Sequence, residues 1–180
     1  MRIAIALIVL VIVLGVLLYN SLINARIRVD TAWSQIDVQL QRRLDLIQNL
    51  VEAVRGYASH ERSTLEAVVA ARAQALQSST PQDVATSQTQ LIGAFGKLLL
   101  ISESYPDLRA NANFLSLQHE LSATESKIAF SRSYYNESVQ IFNGKITTFP
   151  ANLLSRLTKL SARPYFELES SSREVPKVQF

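Results

Sequence analysis

The stretch from Ile27 to Tyr57 constrains this chain most. Val29, Trp33, Ile36, Leu40, Ile47, Leu50, Val54 and Tyr57 recur there at alternating spacings of four and three, and Arg43 fills the one remaining place of the series. That is the a/d seam of an amphipathic helix. As a helix the stretch is about 46 Å long at roughly 1.5 Å per residue, and its apolar stripe must be covered by helices of similar length.

Composition points the same way. With 180 residues, 48% hydrophobic, and only 5 Gly and 5 Pro, the chain suits one all-α domain of long helices plus an anchor rather than a turn-rich β architecture. The net charge is +3, but the 18 basic residues are scattered among 15 acidic ones and only Arg42 and Arg43 are adjacent. Nucleic-acid binding needs a clustered basic patch, so that class is set aside. The absence of cysteine excludes disulfides, thiolate catalysis and Cys-ligated metal.

Ile3 to Tyr19 is an apolar run broken only by Gly15, close to the roughly 20 residues a bilayer requires. It exceeds the usual signal-peptide core and no A-x-A-like site follows, which favours an uncleaved anchor over residues 1–25. Arg2 with the terminal amine stands on one side and Arg26 with Arg28 on the other, so the charge rule leaves orientation open. No Pro or Gly separates this run from the amphipathic pattern after Asn24, so one helix is expected to run from lipid into the first soluble helix, ending near Gly56.

A second helix is expected to place Leu65, Val68, Val69, Arg72 and Leu76 on one face and to stop at Ser78 to Thr80. Thr80, Pro81 and Asp83 read as cap, first-turn proline and first-turn acid of a third helix. That helix is expected to bury Val84, Leu91, Ile92, Phe95, Leu98, Leu99 and Ser102, with Gly93 and Gly96 permitting close helix approach, and to end before Pro106. Asn111 caps a fourth helix from about Ala112 to about Thr147. Its seam repeats every seven residues at Phe114, Leu121, Ile128, Tyr135, Phe142 and Phe149. Beyond residue 150 a tail is expected to dock through Tyr165, Phe166 and Phe180. Four amphipathic helices with short loops are most economically an antiparallel four-helix bundle over residues 26–150, with 151–180 as a partly docked tail.

No catalytic set emerges. His60 and His119 belong to no metal-ligand pair, Ser59-His60-Glu61 reads as a polar helix boundary rather than a triad, and the five glycines never reach a phosphate-loop spacing. Neither a cofactor nor a small-molecule substrate is expected. The polar groups at the seams must pair or stay wet, because an unpaired buried charge costs several kcal/mol. Arg43, Glu125, Arg132 and Asn136 are therefore read as a register-setting network, and the rival reading makes them a surface for a partner protein or a neighbouring copy. Trp33, Arg42 and Tyr134 join them as candidates for that shared surface or network.

The strings VDTAWSQIDVQLQRRLDLIQNLVEAVRGYASHE and ESYPDLRANANFLSLQHELSATESKIAFSRSYYNESVQIFNGKITTFP, with the late Tyr165-Phe166 and Pro176-Lys177-Val178, closely resemble the LemA family. The likeness runs from Tyr19 to Phe180. Where the family typically has a proline this chain has Gln48, so its first soluble helix should be straighter than a relative's. The resemblance implies a membrane-anchored bacterial four-helix bundle without established enzymatic activity and a role in membrane organisation. It leans toward an extracytoplasmic, periplasmic bundle on the inner membrane, since some relatives carry a lipobox in place of the anchor. The expected partners are membrane lipid, further copies of the chain, or a membrane protein. The leading expectation is a self-associating scaffold, and the rival is an accessory or regulatory subunit of a membrane enzyme such as a protease.

Overall fold

The computed structural model describes residues 1–167, and over that range the chain is helical with no strand. Its helices are α1 (Arg2–Arg55), α2 (Arg62–Gln77), α3 (Pro81–Ser102), α4 (Pro106–Arg109), α5 (Ala112–Thr147) and α6 (Ala151–Leu157). The expectations for Phe180 and for Pro176 to Val178 fall outside the described residues.

Helix α1 is unbroken for 54 residues, about 81 Å at 1.5 Å per residue. Its first part meets the length and hydropathy of a membrane-crossing helix: an 18-residue window there has mean hydropathy 2.9, and none of that window is buried. A soluble core helix of that composition would be covered on every side. From Leu22 onward one face is buried instead, running through Leu22, Ala25, Val29, Ala32, Ile36, Leu40, Ile47, Leu50 and Val54 and widened near its end by Leu44, Leu46 and Val51.

The chain divides into two compact units. The first takes Met1–Leu40 and Lys127–Tyr165. In it, the α5 seam residues Ile128, Tyr135, Val139, Phe142 and Ile146 are buried, as are Val29, Ala32 and Ile36 of α1, and the Trp33 and Tyr135 rings lie 5.3 Å apart. Lys145 Nζ donates to Ser21 Oγ at 2.7 Å, which tethers the far end of α5 just beyond the apolar run.

The second unit comprises Gln41–Ser126 with Phe166 and Glu167. Its core joins Leu44, Ile47, Leu50, Val51 and Val54 of α1, Leu65, Val68 and Ala75 of α2, Leu91 and Leu98 of α3, Leu108 of α4, and Phe114 and Leu121 of α5. Fully burying an aliphatic or Phe side chain contributes about 1.5–3 kcal/mol. The helix ends behave as their sequences suggest. Thr80 Oγ1 accepts from the Asp83 amide at 3.2 Å and donates to the Asp83 carboxylate at 2.7 Å, with Pro81 at the first position. Asn111 Oδ1 accepts from the Asn113 and Phe114 amides at 2.9 and 3.1 Å to start α5.

Several expectations need correction. In α2 the buried stripe is Leu65, Val68 and Ala75, and Val69 and Leu76 are exposed, because a helix covered along a narrow seam hides positions three and four apart and leaves the next row wet. The same holds for Ile92 in α3. Gly93 and Gly96 are not points of close approach, since a Cβ at either would meet open space. Tyr57 is exposed because α1 ends at Arg55, and Phe149 is exposed because α5 ends at Thr147.

The tail begins with a helix that patterning does not reveal. α6 closes with Leu160 N donating to Ser155 O and Lys159 N to Arg156 O, Lys159 having φ 54°. This is the two-bond helix stop usually built on glycine. Of the tail's aromatic rings, Phe166 is buried and Tyr165 exposed.

Candidate functional site

Two polar constellations stand out, one in each unit. In the second unit Arg43 occupies the seam position that the heptad would give to an apolar residue, and only 4% of it is exposed. Its Nη1 donates to Gln88 Oε1 of α3 at 2.8 Å, and its Nη2 forms an ion pair with Glu125 of α5. Gln88 is itself buried, whereas the Glu125 side chain is 52% exposed. Loss of water pushes the Arg43 guanidinium down to about 10, and the neighbouring carboxylate works against that fall by favouring the charged form. Arg43 is therefore cationic at neutral pH.

Beside it lies a cavity of about 360 Å³, walled by Ile47, Leu91, Phe95, Leu99 and Leu121, with Arg43 and Glu125 among its few polar groups. The volume is at the small end of ligand pockets. The arrangement can hold an apolar group against a paired charge. It offers no nucleophile beside a base, since its titratable groups are one guanidinium and one carboxylate already paired to each other. A second guanidinium is held nearby in the same unit: Arg72 Nε of α2 donates to the Leu44 carbonyl of α1 at 2.9 Å.

In the first unit the residues after α6 are strapped to α5. Asn143 Nδ2 donates to the Arg163 carbonyl and Asn143 Oδ1 accepts from the Arg163 amide, both at 2.9 Å, so that one side-chain amide holds both polar backbone groups of one residue. The Tyr135 hydroxyl donates to the Pro164 carbonyl at 2.9 Å. Arg163 Nη2 reaches Asp30 of α1 at 2.9 Å. Burial pushes the Tyr135 phenol up; Arg163 pulls it down and Asp30 adds to the rise.

The sequence-derived candidates divide between these places. Arg43 and Glu125 meet, while Arg132 and Asn136 belong to the first unit. Arg42 is exposed and forms an ion pair with Glu120 at 3.3 Å. Trp33 is half-buried against Tyr135, and Tyr134 and Arg132 are half-buried on α5. Gln88, Asn143, Asp30 and Arg163 are not among those candidates. Gln88 carries a usable signal: it sits at the heptad position between Val84 and Leu91, where a polar residue needs a buried partner. Among the described residues no group of three metal-ligating side chains converges.

A family model described as LemA family matches residues 32–180. The chain is similar to Protein LemA of Metamycoplasma hominis, 25% identical over 158 residues covering 86% of this chain and 71% of that protein. It is also similar to Magnetosome protein MamQ 2 of Paramagnetospirillum magneticum, 22% identical over 175 residues covering 83% of this chain. A third relative is Magnetosome protein MamQ of Magnetospirillum gryphiswaldense, 23% identical over 174 residues covering 82% of this chain. The chain spans 64% of the length of each of these magnetosome proteins.

Proposed function

The chain belongs to the LemA family, and on that premise we propose a non-enzymatic, single-pass membrane protein whose helices form an antiparallel four-helix bundle that self-associates and organises its neighbours. In this reading residues 1–25 anchor the chain, 26–150 form the bundle and 151–180 are a tail docked in part. The observation that carries it is α1: an apolar segment with no buried residues in its spanning window continues without a break into a helix with a packed stripe. A helix that leaves lipid and enters packed structure in one piece holds what it carries at a defined height, which a flexible tether does not. The likeness to relatives named as magnetosome proteins supports this reading. The location proposed is the bacterial inner membrane with the bundle on the extracytoplasmic side.

The rival reading is an accessory subunit of a membrane enzyme such as a protease. The cavity beside Arg43 favours it, because an apolar side chain from a client could fill the space. The mass of the full chain in mild detergent separates the two. A homomeric series that disappears when residues 1–25 are removed supports the scaffold. A monomer that co-purifies with one stoichiometric enzyme supports the rival and refutes the scaffold.

A further inference from the structure

Two helices of the first unit carry large apolar side chains in water on faces their own packing does not use. On α1 these are Ile27 and Val38, 55% and 63% exposed, and on α5 they are Phe130 and Ile141, 75% and 38% exposed. Each pair is separated by eleven residues, about three turns at 3.6 residues per turn and some 16 Å of rise, so each lies along a single face of its helix. Val38 stands two residues from the buried Ile36, about 200° round the helix, on the side opposite the packed stripe. Phe130 stands five residues from the buried Tyr135, well off the α5 seam.

The levels of the two pairs coincide. Within the unit α1 and α5 run antiparallel, and the Trp33–Tyr135 ring contact fixes which residues share a level. Counting outward from that contact, one residue up α1 for each residue down α5, brings Val38 level with Phe130 and Ile27 level with Ile141. The positions between follow the same count. Ser34 comes level with Tyr134, and Thr31 with Glu137, where a hydroxyl can donate to a carboxylate. The α1 row of Ile27, Thr31, Ser34 and Val38 is exposed, free of charge and spaced four, three, four, which is a second seam on the back of the helix.

We propose that this row receives the α5 row of a second copy of the chain. The inference rests on the self-association proposed above and names its surface. The anchor supplies the reason for that occupant: copies held by the same apolar segment stand at the same height, so their α1 and α5 rows meet with no axial shift. Val38 then faces Phe130 of the neighbour and Ile27 faces Ile141. The contact is heterologous, one surface against a different one, so it propagates into a ring or a row rather than stopping at a twofold dimer.

The natural absence of cysteine permits a direct test in native membranes with the full chain. Val38→Cys with Phe130→Cys, and Ile27→Cys with Ile141→Cys, should each give on mild oxidation a covalent ladder of dimer, trimer and higher species. The crossed pair Val38→Cys with Ile141→Cys, misaligned by about 16 Å against the roughly 7 Å or less that a disulfide tolerates between Cα atoms, should stay monomeric. Each single-cysteine variant should stay monomeric too. Ladders of equal yield from the crossed pair, or dimers from the single variants alone, overturn the proposed surface. Native mass of the same extracts distinguishes the two levels: oligomers without matched crosslinks refute this surface and leave self-association standing, whereas monomers refute both. Val38→Glu and Phe130→Glu, both at exposed positions, should each dissociate the assembly while leaving helix content unchanged.

Discussion

Replacing Arg43 and Gln88 together tests whether the charge in the α1 seam is a cost to the fold. The loss of water that holds this guanidinium down at about 10 corresponds to roughly 3 kcal/mol against its charged form at about 1.4 kcal/mol per pKa unit, and the Glu125 ion pair offsets part of it. The sign follows from the direction: the folded state releases this proton more readily than the unfolded state. The penalty is therefore present at neutral pH and is relieved only as pH rises through about 10 toward the ordinary arginine range. Arg43→Met removes the penalty but also strips the buried Gln88 oxygen of its donor, which costs about 1–3 kcal/mol. That single change should come out near neutral. Gln88→Leu alone should destabilise by about 1–3 kcal/mol, because it removes a buried acceptor from a buried cation. Arg43→Met with Gln88→Leu should be between as stable as the wild type and about 4 kcal/mol more stable, as expected when the buried part of a polar cluster is replaced by apolar groups of similar volume and the half-exposed Glu125 is left to water. Urea unfolding of the full chain in mild detergent, followed by circular dichroism, gives all three values. A double variant less stable than the wild type by about 2 kcal/mol or more, a threshold set by the same comparison, would refute the reasoning and make the Arg43–Gln88–Glu125 cluster a net source of stability.

Tyr135→Phe should cost about 1 kcal/mol at neutral pH through the lost bond to Pro164. Because burial raises the Tyr135 pKa, the wild type should lose stability as pH rises past the ordinary tyrosine value of about 10, and the variant should lose less over the same range; parallel pH profiles would refute this. Gly96→Ala should raise stability by about 0.8–1 kcal/mol in thermal unfolding, since the new methyl meets open space and the helix gains propensity. Asn143→Ala should cost about 1–3 kcal/mol and speed proteolysis between Leu157 and Phe166, because both polar backbone groups of Arg163 lose their partners. Lys159→Gly should stabilise by up to about 1 kcal/mol, as the left-handed residue after α6 loses its Cβ penalty.

Much of the fold is legible in the sequence, because the signals that set it are local. The apolar run, the a/d series of α1, the sevenfold series of α5, the Thr80-Pro81-Asp83 start and the Asn111 cap each depend on residues within a turn or two of one another. Ile36, Ile47, Phe114 and Phe142 accordingly lie buried as that patterning requires. The same periodicity marks Arg43 as a misfit in its seam and places Glu125 close to the seam of α5. It cannot name Gln88 as the acceptor, nor set Arg132 and Asn136 apart from the cluster. Those outcomes depend on the register between helices tens of residues apart, which no local pattern specifies.

The tail and the outer surface belong to tertiary structure. Asn143 holds Arg163 twenty residues later through a backbone amide and carbonyl, groups that nearly every residue carries, so the sequence offers no mark of the partner. Gly93 and Gly96 suggest contact points because glycine permits close approach, and only the path of the neighbouring helices leaves them facing open space. Likewise Phe130 and Val38 read as ordinary apolar residues of a helical chain, and their exposure at a common level becomes visible only when α1 and α5 are set side by side. Hydrophobic period and capping act over a few residues, so the amino-acid order alone dictates which faces are apolar and where most of the helices begin and end. Which polar groups meet, and which apolar faces stay uncovered, follows instead from how long helices pair, and that pairing exists only in the folded chain.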